Sequence, residues 1–205
     1  NHFKKTLSKE DNVWSYSGVR PLCDDESDSP QAITRDYTLD VRDDNGKAPL
    51  LSVFGGKLTT YRKLAEHAME KLSKYYPKAG PAWTRSCVLP GGDIAGTRED
   101  YAASLRRRYP FITEAMARHY ARTYGSNTEL FLKPAKSLDD LGERFGHHFY
   151  EAELRYLVEK EWVREQDDAL WRRTKMGMFL NEQERARVGE WLAQHGKKPV
   201  LSLAS

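Results

Sequence analysis

The sequence predicts an α+β fragment that is mostly helical: a small strand, hairpin and helix segment, followed by an all-α C-terminal domain. Three observations predict it. Runs rich in β-branched and aromatic residues are confined to the early part of the chain, two of them flank an Asn-Gly turn, and helix-start signatures recur through the rest. At 205 residues the chain can bury a core, as one domain or two small ones. Its 39% hydrophobic and 31% charged residues describe a globular protein. The net charge of +3 gives a nucleic-acid partner little support. No apolar run approaches the eighteen or so residues that a membrane span requires.

The elements follow in order. Val13-Trp14-Ser15-Tyr16 reads as a strand, as do Ala32 to Val41 and Leu50 to Phe54, with Asp44-Asn45-Gly46-Lys47 turning the second pair into a hairpin. Leu58 to Tyr75 carries Leu64, Ala65, Ala68, Met69 and Leu72 at helical spacing, and Pro77 lies beyond its end. The division is 1–80 for this first part, 81–97 for a linker containing Pro90-Gly91-Gly92, and 98–205 for the helical domain. There, Thr97 with Asp100, Ser126 with Glu129 and Asn181 with Glu184 each place a capping residue three positions before an acid. Helices are expected at about 98–108, 111–124, 127–133, 151–163, 167–175 and 182–194, with Gly125 and Gly196 as stops. Tyr156, Leu157, Trp162, Leu170, Trp171 and Leu192 fall on apolar faces and are expected in the core. No metal site is expected, because Cys23 and Cys87 lack ligand spacing. The chain opens on Asn1-His2-Phe3, without an initiator Met, and reads as a piece of something longer.

The residues that could carry chemistry begin at Phe54-Gly55-Gly56-Lys57-Leu58-Thr59-Thr60-Tyr61-Arg62, where an apolar strand turns into a helix. Two glycines there let the backbone approach a ligand closely. The first helical turn adds unpaired N–H groups, a partial positive charge and the Lys57 ammonium. An ordinary strand-to-helix turn with a solvated lysine has the same pattern. In Ser17-Gly18-Val19-Arg20-Pro21-Leu22, an arginine stands between a turn-permitting glycine and a proline, placed either to grip a phosphate or carboxylate or to pair with Asp24, Asp25 or Glu26. Arg35 shares a strand face with Ile33 and Tyr37, which points it to a cleft, an ion pair or a surface.

Those three runs, in that order, resemble the C-terminal half of the FAD-dependent, respiratory glycerol-3-phosphate dehydrogenases. The resemblance continues through Leu141-Gly142-Glu143-Arg144-Phe145-Gly146 and Tyr150-Glu151-Ala152-Glu153-Leu154-Arg155-Tyr156-Leu157, similar to that family's cap domain, and through Asp168-Ala169-Leu170-Trp171-Arg172-Arg173-Thr174-Lys175-Met176-Gly177, similar to its closing signature. It implies oxidation of sn-glycerol 3-phosphate to dihydroxyacetone phosphate, with hydride passing to FAD and electrons to a quinone. It also implies an enzyme peripheral on the cytoplasmic side of the inner membrane. Carried over by position, Arg20, Arg35 and Lys57 would line the substrate pocket. Gly55, Gly56, Lys57, Leu58 and Thr59 would face the flavin.

The match has limits. The Gly-x-Gly-x-x-Gly turn that cradles a dinucleotide pyrophosphate is absent from this sequence, and no general base can be assigned to any histidine. This chain alone is therefore expected neither to hold FAD tightly nor to turn over substrate, and its first part, without upstream partners, to have uncovered edges. Oxygen is the alternative electron acceptor. A reading of another class makes the helical half a docking module for a homodimer, a partner protein or an anionic membrane surface, using Arg106-Arg107-Arg108 and Arg172-Arg173. A solvated charged face accounts for the same residues.

Overall fold

At the Asn-Gly turn, Asn45 and Gly46 take φ of 50° and 81°, the left-handed pair that a two-residue hairpin connection requires. A computed structural model, which describes residues 6–19 and 36–196, builds β1 (Tyr37–Asp44) and β2 (Lys47–Gly55) on that turn. They pair antiparallel, with Tyr37 opposite Gly55, Val41 opposite Leu51 and Asp44 opposite Lys47. A short 3-10 turn, Leu58–Thr60, then leads into α1 (Tyr61–Leu72). The chain separates into two units, Asn1–Cys87 and Val88–Ser205.

In the first unit α1 lies against the hairpin, with Tyr37 and His67 in edge contact at 5.9 Å between ring centroids. Segment 81–86 is tied to α1 through Thr84, whose hydroxyl donates to Glu66 at 2.6 Å. Arg62 joins the same carboxylate at 2.6 Å. None of the described residues of this unit is fully buried, and Leu50, Phe54, Trp83 and Tyr76 are all exposed. A two-stranded sheet with one helix cannot close a core. The expected strand at Val13–Tyr16 is absent: the residues are irregular, with Trp14 stacked on Tyr16 at 5.4 Å. An extended segment becomes a strand only by pairing, and no described segment pairs with this one. Gly18 lies outside the left-handed region, and the residues that directly follow Val19 lie outside the described ones.

Asp43 pins the hairpin tip to the end of α1. One oxygen accepts from the Gly46 N–H at 3.0 Å, and the other receives the Lys74 ammonium at 3.1 Å and the Tyr75 hydroxyl. The Tyr75 bond, then Gly46, then Lys74 hold its carboxyl down at about 2. A lowered carboxyl contributes stability above its unfolded value, about 3.9, and loses it as pH falls toward 2. A carboxyl NMR titration is expected to place the Asp43 midpoint near 2; a midpoint near 3.9 would contradict the tie.

The second unit holds the core. α2 (Arg98–Arg108) starts on a reciprocal cap, Asp100 N–H to the Thr97 hydroxyl at 3.1 Å and Thr97 N–H to the Asp100 carboxylate at 2.9 Å. α3 (Glu114–Thr123) starts on Thr113 and stops at Gly125, whose φ is +54°. A 3-10 turn, Gly125–Thr128, enters the single-turn α4 (Glu129–Leu132). The cap expected from Ser126 and Glu129 does not form. The Ser126 hydroxyl donates to Asp93, and Glu129 accepts from Arg108 and from the Tyr109 hydroxyl instead. Local spacing cannot reveal that long-range partners compete for both residues.

The helical domain also contains a hairpin that a helix-only reading does not include, β3 (Arg144–Gly146) and β4 (Phe149–Tyr150). α5 (Glu151–Lys160), a π-helical turn (Asp168–Arg173) and α6 (Glu182–His195) follow. Asn181 and Glu184 form the expected cap of α6. Leu105, Leu132, Phe145, Phe149, Leu154 and Leu170 are fully enclosed. Tyr156, Leu157, Trp171 and Leu192 are buried as expected, but Trp162 is 77% exposed. α5 stops at Lys160, and Trp162 turns left-handed with φ of 60°, which takes it off the helical face. Gly196 ends α6 with φ of −63° rather than a left-handed stop.

Candidate functional site

The glycine turn is a built bend. Gly55 and Gly56 take φ of 73° and 104°, a region that only glycine enters at little cost. Space does not exclude a side chain at Gly56, since a Cβ there would stand 3.5 Å from Leu64 and Tyr37. The backbone angle is the constraint. The Tyr37–Gly55 pairing brings the start of β1 beside the turn. Lys57 leaves the turn in an extended conformation, its N–H donating to Thr60 Oγ1 at 3.4 Å, and that hydroxyl donates back to the Lys57 carbonyl at 2.9 Å. The Leu58 and Thr59 N–H groups have no acceptor among the described residues. Lys57, Leu58 and Thr59 are exposed, Leu58 to 90%.

This differs from the sequence reading in one respect. The strand does not turn directly into an α-helix, because the 3-10 turn Leu58–Thr60 intervenes, and Thr60 rather than a residue of the glycine turn stands at the start of α1. The unpaired donors expected of a helix start are therefore those of the 3-10 turn. Arg20 and Arg35, the other two predicted contacts, lie outside the described residues. The five predicted cofactor residues are contiguous and presented together; the charged trio is described at Lys57 alone.

The residues suit the edge of a planar, polar ring. Two glycines remove Cβ atoms from the approach, two unpaired N–H groups can donate, and one ammonium supplies positive charge. They do not supply a pyrophosphate cradle. Among the described residues no group of three or more His, Cys, Asp or Glu side chains could hold a metal ion.

Sequence reasoning missed a buried polar cluster in the helical domain. Glu153 is fully buried, and its Oε1 accepts from His119 Nε2 and from the Tyr124 hydroxyl, each at 2.6 Å. Tyr124 stacks edge-on with Phe131 at 5.4 Å and with Tyr156 at 5.2 Å. Burial raises the Tyr124 phenol well above its ordinary value, and the Glu153 charge adds to the effect, so the hydroxyl stays a donor. The signal was available: Glu153 precedes Tyr156 and Leu157 by three and four residues, on the apolar face of its helix. A carboxylate there requires a buried partner.

The closing run 168–177 is a packing clasp. A Cβ on Gly177 would come within 2.6 Å of the Trp171 indole. The Arg185 guanidinium lies 5.3 Å over the same ring and donates to the Gly177 carbonyl at 2.6 Å. The Lys175 ammonium donates to the Trp171 carbonyl, with Lys175 itself left-handed at φ of 61°. Arg172 is engaged by Glu165 and Asp168, and Arg108 by Glu129, so neither cluster offers all its cations to a surface.

Comparison with known proteins extends this picture. Residues 82–197 match the family described as the C-terminal domain of alpha-glycerophosphate oxidase. The chain is 72% identical over 204 residues to the aerobic glycerol-3-phosphate dehydrogenase of Escherichia coli (strain K12), an overlap of 100% of this chain and 40% of that protein. It is 47% identical to the glycerol-3-phosphate dehydrogenase of Pseudomonas aeruginosa, over 99% of this chain and 40% of that protein. To the D-erythritol 1-phosphate dehydrogenase of Brucella abortus it is 48% identical, over 93% and 38%. The chain thus spans about two fifths of the length of the curated relatives it matches.

Proposed function

Because the chain belongs to the family of alpha-glycerophosphate oxidase C-terminal domains, we propose that it works as the C-terminal part of a flavoprotein that oxidises sn-glycerol 3-phosphate to dihydroxyacetone phosphate. The observation that carries this reading is the glycine turn: paired left-handed glycines, unpaired N–H groups and an exposed Lys57, in a chain 72% identical to a protein named for that activity. When bound, FAD would supply the redox chemistry, accepting from the secondary alcohol carbon a hydride, which carries both electrons, while the hydroxyl proton leaves separately.

The residues of this chain bind and orient. Gly55 and Gly56 admit the ring edge, and the Leu58 and Thr59 N–H groups donate to it, favouring negative charge there. Lys57 provides a point charge, and Arg20 and Arg35 supply guanidinium forks for a dianionic phosphate. Only one residue separates Arg35 in sequence from Tyr37, the partner of Gly55, which supports its assignment to the same pocket. Electrons leave to a quinone, and the dehydrogenase names of the relatives favour an acceptor other than oxygen. Transfer to oxygen is the alternative that the oxidase name of the family raises.

Two measurements test the reading. A full-length protein containing this chain is expected to oxidise glycerol 3-phosphate with an artificial acceptor and to release little peroxide. No turnover of glycerol 3-phosphate would overturn the substrate, and stoichiometric peroxide would overturn the acceptor. The 205-residue chain by itself is expected to show no flavin absorption after dialysis; one-to-one occupancy would show that it carries a whole site.

A further inference from the structure

The helical domain joins α3 to the β3–β4 turn across a buried charge. Glu153 of α5 is fully buried, its Oε1 shared by His119 of α3 and Tyr124 just beyond that helix, and its Oε2 has no partner among the described residues. His148 of the turn stands with its ring 4.9 Å from that of His119, and its Nδ1 is likewise buried without a partner. His147 continues the row, 4.1 Å from His148. The three imidazoles thus form a row of which His119 alone is bonded to the Glu153 carboxylate, and one carboxylate can balance one imidazolium and not two. The turn is also strained, with His147 left-handed at φ of 44°.

We infer that His119, His148 and Glu153 form a proton-operated latch, holding the β3–β4 turn against α3 while His148 is neutral and releasing it when His148 takes a proton. The other titratable and charged groups around the latch are few. α3 with its following residue contributes Tyr120 and Tyr124, and α5 with its preceding residue contributes Tyr150 and Tyr156. β3 contributes Arg144, whose guanidinium donates to the His147 carbonyl at 2.8 and 2.5 Å. α6 contributes Glu184, packed on Gly146, and Arg187, bonded to the Arg144 and Phe145 carbonyls. Tyr120 and Tyr124 stay protonated, since burial and the Glu153 charge push both phenols well up.

The direction of the response follows from the two histidines. Burial first, then the charges of His119, His147 and Arg144, hold His148 down at about 4. Its unfolded value is about 6.5, so the closed form loses stability as pH falls between those values, by up to about tenfold in the opening constant per pH unit. Burial alone would lower His119, but the Glu153 carboxylate outweighs it and the net shift is upward. Its contribution is complete below about 6.5 and fades as pH rises through its folded value. The latch is therefore tightest near pH 6.5, and acid opens it.

Hydrogen exchange on the 205-residue chain tests the latch. Between pH 6.5 and 4.5, after correction for intrinsic rates, the opening constant of amides 145–150 is expected to rise by about 10- to 100-fold. The amides of α2 should retain their protection. His148→Gln should abolish most of that rise. Equal acid responses in variant and wild type, or loss of protection in α2 in the same proportion, would overturn the latch. Should the variant not fold, imidazole NMR of the wild type decides. A His148 midpoint near 4, tracking the lost protection, supports the latch, and a midpoint near 6.5 with unchanged exchange overturns it.

Discussion

Gly125→Ala is expected to destabilise the helical domain by about 2–5 kcal/mol, the sum of a left-handed penalty and an unrelieved overlap. Gly125 follows Tyr124, the residue that caps α3, with φ of +54°, the position where a helix exits through the left-handed region. Its neighbour in space is equally constrained. A Cβ on Gly125 would lie 1.9 Å from the Gly91 carbonyl oxygen, and one on Gly91, at φ of +84°, would lie 2.3 Å from the Tyr124 carbonyl oxygen. Ser126 N–H donates to that Gly91 carbonyl at 3.0 Å. Both obstacles are backbone, so no side chain can move aside to make room. The melting temperature should fall on the order of 10 °C. Gly80→Ala is the control, because Gly80 has open space around it and an ordinary φ, and it should shift the midpoint very little. An unchanged midpoint for Gly125→Ala would contradict the close approach.

That contact shows where sequence reading stopped. Gly125 was legible as a helix stop, and Pro90-Gly91-Gly92 as a boundary, because each carries a local conformational signature. Their meeting across 34 residues was not, since no local pattern encodes a backbone-to-backbone contact. The hairpin at Asn45-Gly46 and the caps at Thr97 and Asn181 were legible for the same reason: donor, acceptor and turn residue lie within four positions of one another. Ser126 and Glu129 matched that pattern and still failed, because Asp93, Arg108 and Tyr109 arrive from elsewhere in the chain. Trp162 failed because α5 ended a few residues early and turned it outward. At the site, the positive-φ glycines and Lys57 could be read from Gly55-Gly56-Lys57, whereas the Tyr37–Gly55 register that brings β1 to the turn required the sheet. The Glu153–His119–Tyr124 cluster joins two helices and carries no local signal beyond an acid on an apolar face.

The first unit bears on how the site works. Its hairpin and α1 place Gly55, Gly56 and Lys57 at one end, yet none of its described residues is fully buried and its apolar side chains remain exposed. A surface of that kind positions side chains loosely until something covers it, and a site needs its supporting shell held within about 0.5 Å. This is why the chain alone is expected to lack flavin, even though the residues proposed to face the ring are present. The helical domain, with its enclosed core, has no comparable deficit. Its contribution to the proposed enzyme is a rigid body adjoining the site in sequence, and its Arg clusters are partly consumed by Glu129, Glu165 and Asp168.

The second large effect concerns chemistry. A charge-assisted hydrogen bond to phosphate is worth about 1.5–3 kcal/mol, so removing one such group should cost about 10- to 100-fold in kcat/KM for a phosphate ester. Lys57 is exposed and sits at the glycine turn, and Arg20 and Arg35 complete the assigned set. Because all three groups are proposed to grip the same dianion, the double variant Arg20→Ala/Lys57→Ala should lose less than the product of the single losses, or fall below detection. Lys71, exposed on α1 and remote in sequence from the turn, is the control, and Lys71→Ala should leave the rate unchanged.

The most direct measurement is therefore kcat/KM for glycerol 3-phosphate, with an artificial acceptor, in a full-length protein containing this chain and carrying Arg20→Ala, Arg35→Ala or Lys57→Ala. The proposed site predicts losses of about 10- to 100-fold in each single variant, with flavin content preserved in the two arginine variants. Wild-type values in all three would contradict it, and the glycine turn would then be a structural bend with a solvated lysine.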